Sequence, residues 1–264
     1  MNQNSRILHV ALEAARAAGS ILVERRTRTR EIRFKGARDI VTDADLAANR
    51  AIKELLGQHF PADAILSEED PPPTARLAHA ERLWIIDPLD GTTNYARDFP
   101  LFCVSIALTE RGRSLVGVVY DPLRDECFHA VRGEGAFMNA TPIRASQVSK
   151  LEDAAIGGEL PREQELREQA LGWFASLVSR SMTGRIGGSA ALSLCYVGAG
   201  RLDAYFHPSL SPWDVAAGML IAREAGARVR HLDGRPATLR GGGYLVANKR
   251  FFPAIRRELE KLEA

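Results

Sequence analysis

The chain has 264 residues, a formal charge of +2, 45% hydrophobic residues and 26% charged ones. That length can bury a substantial core as one large domain or two intimate ones. The near-neutral charge argues against nucleic acid as the main partner, and no apolar run approaches the ~20 residues of a membrane span. The N-terminus lacks the basic-then-apolar pattern of a signal peptide. Cys103, Cys127 and Cys195 are widely spaced with no metal or redox pattern, so buried free thiols in a cytoplasmic protein are expected. Six scattered histidines with no His-x-x-x-His pair argue against a zinc hydrolase.

Apolar residues at Ile7, Ala11, Ala14, Ala18 and Ile21 predict an amphipathic helix from Asn4 to about Arg26. A basic stretch from Arg25 to Arg38 follows, with Glu31 as its one acid; it reads as a solvated connection, the sharper alternative being a funnel for an anionic substrate or an RNA contact. Thr42 to Phe60 forms a second helix stopped by Pro61. Ala64–Leu66 is a short strand running into Ser67-Glu68-Glu69-Asp70, and Pro71 to Pro73 predict an extended, mobile loop. Strands then crowd together at Leu83–Ile86, Cys103–Glu110, Ser114–Tyr120, Glu126–Arg132 and Ala136–Met138, spaced as antiparallel hairpins. After about Ser149, short strands alternate with helices, which predicts a layered half with a largely parallel sheet. The chain therefore divides into an α+β half over 1–148 and an α/β half over 149–264.

The segment Trp84-Ile85-Ile86-Asp87-Pro88-Leu89-Asp90-Gly91-Thr92-Thr93-Asn94 carries the most chemistry. A buried strand ends in two carboxylates three residues apart, followed by a glycine and two hydroxyls. Pro88 biases Asp87 toward an extended backbone, and Gly91 permits a conformation or approach that a Cβ would block. Paired carboxylates suit a hard cation such as Mg²⁺; amides at the start of a following helix suit phosphate. Taken alone the segment is an ordinary turn. Three further acidic clusters raise its weight. Glu68 and Glu69 lie between a strand and a loop. Asp39, Asp43 and Asp45 flank a helix start, where capping explains at least one of them. In Ser211-Pro212-Trp213-Asp214, Asp214 reads as a capping-box acid held in one orientation, as a metal ligand needs.

Four segments, Asp39-Ile-Val-Thr-Asp-Ala-Asp45, Ser67-Glu-Glu69, Trp84 to Asn94 and Pro212-Trp-Asp-Val-Ala-Ala-Gly218, resemble in wording and order the signature segments of the inositol monophosphatase family. The resemblance implies an αβαβα sandwich, usually a homodimer, that hydrolyses small phosphate monoesters with two or three Mg²⁺ ions. It implies metal ligation by Glu68, Asp87, the Leu89 carbonyl, Asp90 and Asp214. It casts Asp45 as the acid holding metal-bound water and Thr92 as the hydroxyl positioning the attacking water, with Glu68 counted among the catalytic groups. The Gly91 and Thr92 amides would hold the phosphate. Gly188, Ser189 and Ala190 match the small-residue loop that meets the substrate alcohol, beside Asp90 and Asp214. His207 stands where inositol-preferring members carry glutamate, so the metal chemistry is implied more firmly than the substrate. Myo-inositol 1-phosphate leads. A 3′(2′),5′-bisphosphate nucleotide, fructose 1,6-bisphosphate and histidinol phosphate are alternatives, as is a non-catalytic role binding RNA or protein through Arg25–Arg38. The three-residue spacing of Asp87 and Asp90, in place of Asp-x-Asp, favours water over an aspartyl-phosphate.

Overall fold

Small side chains set how closely the first helix lies on its sheet. In the computed structural model, which describes residues 2–28, 31–70 and 80–263, helix α1 (Gln3–Arg26) buries Ile7, Val10, Ala11, Ala14, Ala15, Ala18 and Leu22 along one face. A Cβ on Gly19 would stand 2.7 Å from the Tyr120 ring, so only glycine allows that approach. Helix α2 (Asp43–His59) starts at a capping box: the Thr42 side chain caps the helix while Asp45 accepts from the Thr42 amide. Such a cap is worth about 1 kcal/mol. Both helices cover one face of a seven-stranded sheet, and together they bury Ile52, Leu56, Trp84, Ile86, Ile106 and Val118.

That sheet runs in the order β3 (Ala64–Ser67), β4 (Arg82–Asp90), β5 (Cys103–Glu110), β6 (Arg113–Asp121), β7 (Glu126–Val131), β8 (Ala136–Met138), β9 (Thr141–Pro142). Its β3–β4 pair is parallel and all its other pairs are antiparallel. Its far face meets helices α5 (Ala190–Gly198) and α6 (Pro212–Glu224). At Gly117 the approach is close enough that a Cβ would lie 3.0 Å from the Ala217 backbone. The same two helices cover a second sheet, ordered β11 (Thr183–Arg185), β10 (Ala155–Gly158), β12 (Ala204–Leu210), β14 (Gly242–Asn248), β13 (Ala227–His231). Helices α4 (Gln164–Val178) and α7 (Phe252–Glu263) close its outer face. The result is five layers, αβαβα. The second sheet is parallel across β11, β10 and β12; β14 runs antiparallel to both its neighbours, β12 and β13, so β13 shares the direction of the first three.

The basic stretch is more structured than a solvated connection. Strands β1 (Ile32–Gly36) and β2 (Asp39–Thr42) form an antiparallel hairpin that pairs Phe34 with Ile40. The alternation Ile32-Arg33-Phe34-Lys35 is a period-two signal that the density of charge obscured. The prolines at 71–73 lie outside the described residues. All three cysteines are buried and free. No helix among the described residues is long and apolar enough to cross a membrane.

Candidate active site

The two acids of the central segment reach one point because strand β4 is irregular there. Side chains three apart on a regular strand face opposite ways. Here Asp87 pairs with Ser105 and Asp90 with Cys103, so β4 spends three steps where β5 spends two. The extra residue is a bulge that re-aims the side chains beyond it, and Pro88 within it gives up no ladder donor. Asp87 and Asp90 thereby converge with Asp214: one carboxylate oxygen from each lies within 4.8 Å of the others. Asp214 comes from the first turn of α6, where its Oδ2 accepts the Ser211 amide at 2.7 Å in a capping box.

These acids line a cleft of about 1000 Å³ together with Glu68, Thr92 and Glu159. Glu68 extends the β3–β4 ladder through its amide, which donates to the Ile86 carbonyl at 3.2 Å. Its carboxylate lies 3.1 Å from Lys35 Nζ, and Lys35 also holds Glu69 at 3.1 Å. Burial works against the charge on Lys35, but Glu68 and Glu69 outweigh it and push the ammonium upward. The Leu89 carbonyl accepts the Thr92 hydroxyl at 3.0 Å, and Asp45 Oδ1 lies 3.3 Å from the same hydroxyl. Asp45 is 1% exposed and meets the cleft through Thr92, with its other oxygen held by the Thr42 amide at 2.8 Å.

Burial dominates the electrostatics. It pushes Asp45 up to about 7 and Asp90 up to about 6. Asp87 and Asp214 rise well above the carboxylate range, from burial first, then by repulsion from Glu68, Asp90 and Asp214 on Asp87 and from Asp90 and Glu68 on Asp214. Converging oxygen ligands that resist ionising together fit a hard divalent cation, which compensates their charge and displaces their protons.

Gly91 turns the chain at φ +93°, opening the short helix α3 (Thr92–Ala96). A Cβ there would sit 3.0 Å from the Leu101 carbonyl and 3.2 Å from that of Gly188. Asn94 ties these loops together, its Nδ2 donating to Leu101 O at 2.7 Å and Gly187 O at 2.8 Å. Gly188 and Ala190 line the cleft. Ser189 between them is 1% exposed, and its hydroxyl donates to Asp90 Oδ2 at 2.6 Å. His207 lines the cleft with its Nδ1 accepting the Ser209 amide at 3.0 Å. Burial pulls the imidazole down to about 4, so it is neutral at pH 7 and, with Nδ1 accepting, carries its proton on Nε2.

Sequence reasoning missed four contributors. Lys35 and Arg162 meet Glu68 or its neighbour Asp39 from distant segments, and Asn94 bridges loops 93 residues apart. Glu159 had one usable signal, an acid directly after a strand of the parallel run, where clefts form in open α/β sheets.

Converging carboxylates at a strand bulge, bordered by glycine loops in an αβαβα sandwich, define a class of site that can hold a divalent cation. A model of the inositol monophosphatase family matches residues 3–264, and the chain belongs to that family. It is 41% identical over 239 residues to "Inositol monophosphatase 3" of Solanum lycopersicum, covering 87% of this chain and 88% of that one. It is 38% identical over 257 residues to "Nus factor SuhB" of Pasteurella multocida, covering 96% of each. The crystal structure of the extragenic suppressor protein suhB from Bartonella henselae superposes with a TM-score of 0.92 at 34% identity, covering 97% of this chain and 99% of that one.

Proposed function

We propose that this protein hydrolyses a small phosphate monoester to its alcohol and inorganic phosphate, with Mg²⁺ held by Asp87, Asp90, Asp214, Glu68 and the Leu89 carbonyl. The observation that carries the reading is the convergence of the Asp87, Asp90 and Asp214 oxygens within 4.8 Å in a cleft. Two or three such ions, when bound, supply charge neutralisation and a more acidic attacking water.

The chain's own groups orient the reaction. Thr92 has one hydroxyl hydrogen and two acceptors around it, Leu89 O and Asp45 Oδ1, so its lone pairs are aimed by that fork. A water donating to Thr92 would be held for in-line attack on phosphorus. Asp45, raised to about 7, sits behind Thr92 to take a proton at its carboxylate. The Gly91 and Thr92 amides would face the phosphate. On the alcohol side, Gly188, Ala190 and the His207 Nε2–H meet the leaving group.

Myo-inositol 1-phosphate is the first substrate to test. A phosphate-release screen should set it beside a 3′(2′),5′-bisphosphate nucleotide, fructose 1,6-bisphosphate and histidinol phosphate, each with and without Mg²⁺. Release from none of them, under conditions where the protein is folded and magnesium saturating, would sink the assignment. A second reading, binding RNA or protein through Arg25–Arg38, is supported by the Nus-factor name of several relatives. Against it, the described cations of that stretch are engaged: Arg25 with Asp43, Arg26 with Asp98, Arg28 with Glu24, Arg33 with Glu31, Lys35 with Glu68 and Glu69, and Arg38 with the Arg162 carbonyl and Gln164. A salt-independent or undetectable association with RNA would remove the RNA form of this reading.

A further inference from the structure

One acid in the cleft wall has no task in the reaction just described. Glu159 follows β10 and lines the cleft, and its Oε1 accepts both the Ser189 amide and the Ser193 hydroxyl, each at 3.1 Å. Burial, then the charge of Asp90, pushes its carboxyl up to about 8, so at neutral pH it is a neutral acid with acceptor oxygens still available. Ser189 gives its other donor to a different acid. Its hydroxyl meets Asp90 Oδ2 at 2.6 Å, and the Ala191 amide two residues further meets the same oxygen at 2.8 Å. The opening turn of α5 is therefore suspended between two carboxyl groups, and Ser189 touches both. On its other side Gly188 turns the chain at φ +76°, and a Cβ there would lie 2.9 Å from the Asn94 amide nitrogen.

We propose that Glu159 is a positioning residue for Asp90, acting through Ser189: it holds the turn whose hydroxyl and amide aim Asp90 at Asp87 and Asp214. The proposal rests on the reading of those three acids as cation ligands. Groups that orient a ligating carboxylate typically change metal affinity by about 10- to 100-fold when removed. A residue that merely plugs the end of α5 would lower the stability of the fold and leave affinity for the cation untouched.

The test measures Mn²⁺ binding to the whole protein by calorimetry, for wild type, Glu159→Gln, Glu159→Leu, Ser189→Ala and the Glu159→Leu/Ser189→Ala double variant. Glutamine keeps an acceptor oxygen for Ser189 and Ser193 and should bind Mn²⁺ as the wild type does. Leucine should weaken binding by about 10-fold or more. The double variant should be no weaker than the worse single one, because both changes cut the same chain. Wild-type affinity in Glu159→Leu, or losses that add in the double variant, would overturn the proposal. Should the leucine variant not fold, Glu159→Asp withdraws the acceptor by one methylene, and unchanged affinity there overturns it equally. A wild-type protein that binds no Mn²⁺ would overturn the cation reading itself, and the proposal with it.

Discussion

Replacing Asp90 by asparagine separates what the cleft costs the metal-free protein from what a cation returns. Burial, partly offset by the Ser189 and Ala191 donors, raises the Asp90 carboxyl from 3.8 to about 6. A carboxyl that holds its proton more tightly in the folded chain than in the unfolded one favours folding at low pH. That contribution is lost as pH climbs from about 4 through 6. A rise of this size corresponds to about 3 kcal/mol. Asparagine keeps an oxygen for the Ser189 hydroxyl and the Ala191 amide but cannot ionise beside Asp87 and Asp214. In EDTA the variant should therefore match wild type at pH 4 and exceed its stability at pH 8, by about 1–3 kcal/mol. Magnesium should reverse the order. At a hundred times its dissociation constant a ligand adds about 2.7 kcal/mol to the wild type, whereas the variant has lost one charge and one ligand. Urea unfolding at both pH values, with EDTA and with magnesium, reads all four quantities. Equal stabilisation by magnesium in the two proteins, or a variant weaker than wild type at pH 8 in EDTA, would refute the reasoning.

On the proposed reading that the Thr92 hydroxyl, forked between Leu89 O and Asp45, orients the attacking water, Thr92→Ala should lower kcat by about 100-fold with little change in KM; an effect confined to KM would make it a phosphate contact only. The buried His207 imidazole, pulled down to about 4, must stay neutral, so its contribution is present above pH 6.5 and is lost as pH falls. Wild type should lose about 2 kcal/mol from this group between pH 7 and 5, and His207→Gln should not; identical slopes for the two proteins would count against it. Gly91→Ala should destabilise by at least about 2 kcal/mol and abolish turnover, since its φ of +93° disfavours a side chain and its Cβ would press on the Leu101 and Gly188 carbonyls. Gly112→Ala is the matched control, with φ +73° and open space around it, and should show only the backbone cost, measured by the same unfolding assay.

Much of the site was legible in the sequence because its parts announce themselves locally. Asp45 and Asp214 are the third residues of helices whose caps are Thr42 and Ser211, and capping boxes are written within four positions. Asp87 and Asp90 end an apolar run, and Gly91 marks a turn that needs positive φ. Cys103–Glu110 and Ala136–Met138 could be bounded to the residue because turn formers flank each apolar run. Lys35 was read as one charge in a basic run, because nothing within reach along the chain shows that it faces Glu68, 33 residues away. That Ser189 serves Asp90 was not legible either, since a hydroxyl in a glycine loop carries no mark of an acid 99 residues earlier.

The amino-acid order alone determined which residues are candidates for the chemistry, which elements bear them and which family the segments resemble. Such information resides in caps, turns and periodicities that act over a few neighbours. Tertiary structure alone decided that three acids meet, that β4 bulges against β5 to bring two of them together, and that Glu159 and Asp90 grip the same turn from opposite sides. Those outcomes depend on how five layers seat against one another, where burial shifts each ionisable group and where distances between remote segments are set.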